Sequence, residues 1–440
     1  MKSKTTASAF ITILFVLIMT LFNLTVKAQI GFSQIGMNNA SAYSASTGGV
    51  AVIIMQNENV IFENYHNGAD SSTATHIHSA TKFFWASIAA LALQNGLITS
   101  YDELVSNTIT EWQDTTLHPG KRYIKIRHLL SLSSGLSQDV AQIQGTTPLA
   151  PDIYQYCVDS LNLIAPPGTF FQYGPSHYYV FAVLLQRKLH HANILINPLQ
   201  YLENEILNQI GLTYQTWEYD SVGNPHIPNG CYLTPRNWIK FGQFMLQKGR
   251  WGTIQIIDSN RVENMFIGDG PNPGHGKFCW INGVNGYGYS TQQAAPPGSP
   301  GGFIYYDGYN EIIGAMGAGK NRMYLIPSLN AVILRQTLAE NDAFNDDTFL
   351  SYLLDNLTSV GENNKSQQDM LIYPNPTAET VHLQTNSEKI KSIEIYNLQG
   401  QFIREYFTND FSVSNLPEGI YFIRVETDKS IYTNKLLKQP

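Results

Sequence analysis

Ser79 and Lys82 lie three residues apart where a very apolar run begins, in HIHSATKFFWASIAALALQNGLI, residues 76–98. Positions i and i+3 of a helix share a face. A helix starting near His78 or Ser79 therefore stacks the Lys82 amine one turn above the Ser79 hydroxyl. A serine is a poor nucleophile until a neighbouring base takes its proton. A lysine is such a base only when partly neutral, and burial in apolar surroundings lowers an amine pKa by desolvation. Phe83, Phe84 and Trp85 supply those surroundings. The pair alone is weak, since S-x-x-K arises about once by chance in a chain this long. Serine also caps helices without doing chemistry.

The elements that must position such a pair come from a chain of 440 residues, enough for two or three domains. It is 43% hydrophobic and 14% charged, with 25 Tyr and 21 Phe, so it can bury a sizeable core. A net charge of −7 argues against nucleic acid as the main partner. Residues 1–28 read as a signal peptide: Lys2 and Lys4 precede an apolar run, and Val26-Lys27-Ala28 resembles a cleavage site. No later run is long and apolar enough to span a bilayer. Cys157, Cys231 and Cys279 fit no metal motif, and an odd count leaves one thiol over from any disulfide.

A polar lead, 29–46, precedes AVIIMQNENVIFENYHNG, which reads as a hairpin turning at Gln56–Asn59. The helix after Ser79 is apolar almost all round, so it is expected to be buried, with Gly96 at its end. Ser100–Glu103 predicts a capping box opening another helix. IKIRHLLSLSSGL reads as a short helix stopped by Gly135. PLQYLENEILNQIG and TPRNWIKFGQFMLQKGRW read as amphipathic helices, and 271–302 as loop. YNEIIGAMGAGKNRMYLIPSLNAVILRQ gives three short antiparallel strands, and DDTFLSYLLDNL a last helix. Strands from both ends can then share one sheet. The expectation is α+β: an antiparallel sheet flanked by helices with a helical subdomain, over residues 47–357. A polar linker, 358–370, leads to alternating strands over 371–440, a small all-β sandwich.

These segments together resemble the serine β-lactamase, penicillin-binding and D-aminopeptidase/esterase superfamily, especially its class C-like branch. HSATKFF is similar to the family's S-x-x-K helix start, and IKIRHLLSLSSGL to a signature further along. PPGTFFQYGPSHYYVFAVLLQRKL resembles the segment carrying the family's Y-x-N tyrosine, and IGAMGAGKNRMYLIPSLNAVILR its last strands. The resemblance implies Ser79 as acylated nucleophile, Lys82 as base and Tyr173 as proton relay. It places an oxyanion hole on the backbone N–H groups of Ser79 and Ala318. It needs neither metal nor cofactor. Two departures stand out. The second motif reads Tyr173-Gly174-Pro175, where proline cannot orient a substrate amide; Ser176 or His177 are the substitutes in reach. The third reads Ala315-Met316-Gly317, where Ala315 replaces the cation that helps bind a substrate carboxylate. Ala315, Gly317 and Ser176 thus become candidate substrate contacts. A neutral ester or amide is favoured over a β-lactam or a D-alanyl-D-alanine peptide. A non-catalytic binding protein on the same fold is the rival.

Three further features bear on function. His76 and His78 alternate along the chain without a carboxylate at ligand spacing, which favours packing over metal binding. His275, in a glycine-rich loop, is a candidate for the pocket mouth. GAMGAGKN, residues 314–321, nearly matches a phosphate-binding loop, but Asn321 replaces the hydroxyl and a strand follows. The segments YPNPT, IYNLQGQFI and LPEGIYFIRVETDKSIYTNKLLK resemble the type A C-terminal sorting domain of the type IX secretion system. That resemblance implies the secretion machinery as a partner and a secreted or cell-surface location.

Overall fold

The computed structural model describes residues 29–144, 150–282, 304–305, 308–338, 343–360, 370–385, 389–397, 401–428 and 431–439. The signal-peptide reading falls outside them, as does most of the predicted linker. The chain divides into two compact units. One spans Ile35–Asn356; the other takes the described residues up to Gln34 and from Leu357 onward.

In the first unit the expected hairpin forms as β1 (Gly49–Gln56) and β2 (Asn59–Tyr65). Every residue of β1 is buried, which suits its run of Val, Ile and Met. Late in the chain come β3 (Trp280–Ile281), β4 (Ile313–Gly317), β5 (Asn321–Ile326) and β6 (Ala331–Thr337). They join the hairpin in one antiparallel sheet of order β2-β1-β6-β5-β4-β3. The two ends of the unit thus share a sheet, as the strand pattern implied. Between them lies the helical part, including α3 (Ser176–His191) and α4 (Pro235–Leu246).

Thr234 caps α4 by accepting from the Asn237 N–H, with Pro235 in the first turn where its missing N–H costs nothing. This helix lies on the sheet through Trp238, Phe241, Phe244 and Met245. Gly242 lets it come close: a Cβ there would sit 2.6 Å from Val332 and 2.9 Å from the Met323 sulfur.

The elements differ from the sequence expectation in detail. The polar lead holds a strand, Gln29–Phe32, and α1 (Gln34–Ser46), which buries Met37, Ala40, Ser41 and Ser44. The Ser79 helix begins as a tighter 3₁₀ segment, His78–Phe83, before the α-helix α2 (Phe84–Gln94). Ser100–Glu103 opens no helix; Glu103 instead accepts from the Thr99 N–H and hydroxyl, 3.0 Å each. PLQYLENEILNQIG is helical as expected, α-helix over Pro198–Leu202 running straight into a π-helical turn over Glu203–Leu207.

The sheet end nearest Ser79 is fastened by buried cations. The Arg322 guanidinium donates to Asp346 (2.6 Å) and to the Gly317 carbonyl (2.8 Å). Tyr324 donates to the same Asp346 oxygen at 2.6 Å. Asp346 opens the last helix, α5 (Asp346–Leu354), where the helix dipole also favours a carboxylate. Arg335 donates to the carbonyls of Thr47 and Lys320 and to the Ser44 hydroxyl, tying α1 to the sheet.

In the second unit, Gln29–Phe32 pairs with Leu357–Val360. Met370–Tyr373, Thr380–Thr385 and Asp410–Ser412 make a three-stranded sheet. Ile390–Tyr396, Phe402–Tyr406, Gly419–Thr427 and Ile431–Lys438 make a four-stranded one. Alternate residues from both, including Val381, Leu383, Ile393, Ile395, Ile423 and Leu436, meet in one core. This is the expected sandwich. Among the described residues no helix is long and apolar enough to cross a membrane, and no cluster of three His, Cys, Asp or Glu could hold a metal. The three cysteines are buried and unbonded to each other.

Arg322 is 1% exposed and Asp346 15% by side chain, so removing one partner strands a buried charge. Arg322→Leu is expected to cost about 3–5 kcal/mol of stability, measured by denaturant unfolding.

Candidate active site

The 3₁₀ segment fixes where Ser79 points. His78 takes φ +49°, in the left-handed region, and turns the chain off the short strand Thr75–His76. Its ring stacks on His76 at 3.9 Å, and His76 stacks on Tyr232 at 4.2 Å. Both histidines are thus packing groups beside the site. Burial, helped by His76, pushes the His78 imidazole down to about 4. Behind the segment, α2 is buried from Phe84 through Ala92, and Gly96 at φ +71° closes it.

Lys82 reaches back across one turn. Its Nζ lies 2.8 Å from the Ser79 Oγ and 3.0 Å from the Pro228 carbonyl oxygen. The rings of Tyr173 and Tyr178 flank it at 5.2 and 5.3 Å. Those π-faces and the carbonyl favour an ammonium, while dehydration favours the amine. Lys82 is 5% exposed, and burial pulls its pKa down to about 7. A neutral amine there can accept the Ser79 proton while donating to Pro228.

Tyr173 comes from the loop before α3, and its ring stacks on Trp280 of β3 at 5.6 Å. Ser79, Lys82 and Tyr173 border one cavity with Tyr178, Ala315 and Met316. His275, Phe278, Cys279 and Trp280 complete much of its wall. Its accessible volume is about 10 Å³, room for roughly one water molecule.

The third motif meets the Ser79 segment edge-on. β3 pairs with β4 only at Ile313 and Gly314, so the Ala315–Gly317 edge is left to the His78–Phe83 segment. A Cβ on Gly317 would sit 2.1 Å from the Ile77 carbonyl oxygen and 3.2 Å from the Ala80 nitrogen. Glycine is thus what lets strand and nucleophile turn approach. Ala318 follows in an exposed turn, outside the residues bordering the cavity. Asn321 ties that turn down, donating to the carbonyls of Ala318 (2.9 Å) and His76 (3.2 Å). The strand after it confirms that GAMGAGKN opens no helix.

Ser176 lies elsewhere. Its hydroxyl donates to the Ser137 carbonyl at 2.6 Å, its N–H donates to Gln138, and it does not border the cavity. His177 is likewise turned away, its ring nitrogens within 2.8–3.1 Å of the Gln172 carbonyl, Gln138 and Ser134. Neither supplies the polar group that Pro175 lacks. The Pro228 carbonyl was invisible to motif reading, because any residue carries a carbonyl. Tyr178 and Trp280 gave no signal beyond aromatic character.

Comparison with known proteins bears on the fold. Residues 37–223 match the β-lactamase family, and residues 371–439 match the secretion system C-terminal sorting domain. A Bacteroides dorei protein assigned as a β-lactamase superposes with a TM-score of 0.55 at 17% identity, covering 72% of this chain and 94% of that one. EstCE1, a hydrolase with promiscuous acyltransferase activity, gives 0.53 at 17%, covering 72% and 95%. A D-stereospecific amidohydrolase from Streptomyces sp. gives 0.51 at 13%, covering 70% and 95%. At these identities the likeness concerns the fold. No curated protein matches the sequence. The chain thus carries a β-lactamase-family domain, which supports a serine hydrolase. Its tail is a sorting domain for type IX secretion, which directs it to the cell surface or beyond.

Two outcomes are expected. If neutral Lys82 is the base, the acylation rate falls about tenfold per pH unit below about 7 and levels off above it. A stopped-flow pH profile checks this; a rate still climbing towards pH 10 contradicts it. Gly317→Ala is expected to push β4 off the Ser79 segment and cut kcat/KM by about 10²-fold, since misplacements near 1 Å cost that much.

Proposed function

We propose that this chain hydrolyses a neutral ester or amide through an acyl-enzyme on Ser79. Lys82 accepts the Ser79 proton as the hydroxyl attacks the carbonyl carbon. The backbone N–H of Ser79 stabilises the oxyanion, and Tyr173 returns the proton to the leaving group; Ala318, expected as the second donor, lies off the cavity. Water then attacks the acyl ester and releases the acid. The observation that carries this reading is the 2.8 Å contact between the Ser79 hydroxyl and a buried amine.

The substrate preference follows from the cavity wall. Lys82 is its one Lys or Arg among the described residues, and Ala315 stands where a cation would meet a carboxylate. Phe83, Tyr178, Phe278 and Trp280 offer apolar surface instead. An uncharged acyl group suits that lining better than a β-lactam carboxylate. The enzyme is an exported one: a leader cleaved after Ala28 opens the export route and the tail completes it, with the hydrolase domain over 47–357.

A fluorophosphonate probe tests the nucleophile. The full chain is expected to label at Ser79, and Ser79→Ala is expected to lose labelling and nitrophenyl-ester turnover together. Equal labelling of both proteins would remove Ser79 from the mechanism and favour a binding protein on the same fold.

A further inference from the structure

Resting on the reading of Lys82 as the base, we infer that His76 is a positioning residue for that lysine, acting through the turn that carries the Pro228 carbonyl. The turn spans residues 226–230. Its Gly230 N–H donates back to the His226 carbonyl at 2.9 Å. Glu218 brackets both ends: its carbonyl accepts from the His226 N–H at 2.8 Å, and its N–H donates to the Gly230 carbonyl at 2.9 Å. The three carbonyls between those ends each meet a donor from the nucleophile's own stretch of chain. Ile227 accepts from the Trp85 indole, Pro228 from the Lys82 amine at 3.0 Å, and Asn229 from the His76 Nε2. The carbonyl facing the base is thus held between two fastenings, one on each side. Trp85 is wholly buried core, whereas the His76 side chain is 13% exposed and lies off the cavity.

His76 suits the task because its proton is placed. An acceptor carbonyl at Nε2 requires a hydrogen there. The Glu218 Oε2, 3.9 Å from the same nitrogen, favours that N–H over the other tautomer. Burial works against the Glu218 carboxylate, but His226, Tyr232 and His76 outweigh it and hold its pKa below the usual value. Tyr232 donates to Oε1 at 2.9 Å, and the His226 Nδ1 lies 3.8 Å from Oε2. The His76 ring is also clasped between His78 and Tyr232, which opposes it across a strand pair. The effect reaches Lys82 in two ways. Pro228 takes one N–H of the neutral amine and leaves its lone pair for the Ser79 hydroxyl, 2.8 Å away. The turn also keeps water off. Burial is what lowers this amine, so a turn that swings away returns it towards the ammonium.

The test follows kcat/KM against pH for p-nitrophenyl acetate on the full chain, since that ratio reports the base of the free enzyme. His76→Phe keeps a ring between His78 and Tyr232 and removes the N–H. It is expected to raise the midpoint from about 7 by about one pH unit. The value of kcat/KM near about pH 6 then falls about tenfold, while above about pH 9 it stays within about threefold of the unaltered protein. His76→Gln, whose amide nitrogen falls near the Nε2 position, is expected to bring the midpoint back; His76→Asn, too short to reach the Asn229 carbonyl, is not. A loss equal at every pH with the midpoint unmoved overturns the inference, because it marks a residue that serves only folding. No loss, or a downward shift, overturns it too. If His76→Phe does not fold, the Gln and Asn midpoints decide it, and equal midpoints overturn it. An unaltered protein with no midpoint near 7 would instead defeat Lys82 as the base, the reading beneath this one.

Discussion

An amine held out of water is the constraint on which this architecture turns. A lysine in solvent is an ammonium at neutral pH and cannot take a proton. Here an apolar helix, two tyrosine rings and a single carbonyl replace the water around Lys82, and the charged form loses its advantage. Keeping the amine dry explains several features at once. The helix behind it is buried on all sides, the Trp85 indole is fastened to the Ile227 carbonyl, and the next residue, Pro228, offers its own carbonyl to the amine. A looser cradle would admit water and restore the ammonium.

A second requirement is closeness between the nucleophile turn and the third-motif strand. Gly317 meets the Ile77 carbonyl where no side chain fits, and Arg322 holds the Gly317 carbonyl from the other side. The same arginine pairs with Asp346 at the start of the last helix. The site is therefore assembled from residues far apart in sequence, and the stability of the sheet end and the geometry of the chemistry are one problem.

Much of this was legible in the sequence, for a physical reason in each case. The hairpin and the three late strands announced themselves through β-branched runs between turn residues, and those are local signals. Ser79 and Lys82 were legible because their relation is one helical turn, and Tyr173 through its motif. What escaped is tertiary. α1 carries too few apolar residues to look buried, yet Met37 and Ala40 find the core. Ser100–Glu103 has the residues of a capping box, but the chain turns away before a helix forms, and the carboxylate caps a loop instead. Ser176 stood next to the motif in sequence and lies off the cavity in space, because the first turn of α3 points its hydroxyl at Ser137. Trp280 reaches the site only because its segment folds against the loop that carries Tyr173, whereas His275, expected at the pocket mouth, does line the cavity.

The most direct measurement is the titration of Lys82 itself, by nuclear magnetic resonance of the protein with isotope-labelled lysine side chains, assigned with Lys82→Arg. The account expects Lys82 to change charge near pH 7, below Lys121, which burial brings down to about 8. If every lysine titrates near its usual value of about 10.4, the amine is wet and the proposed base is lost.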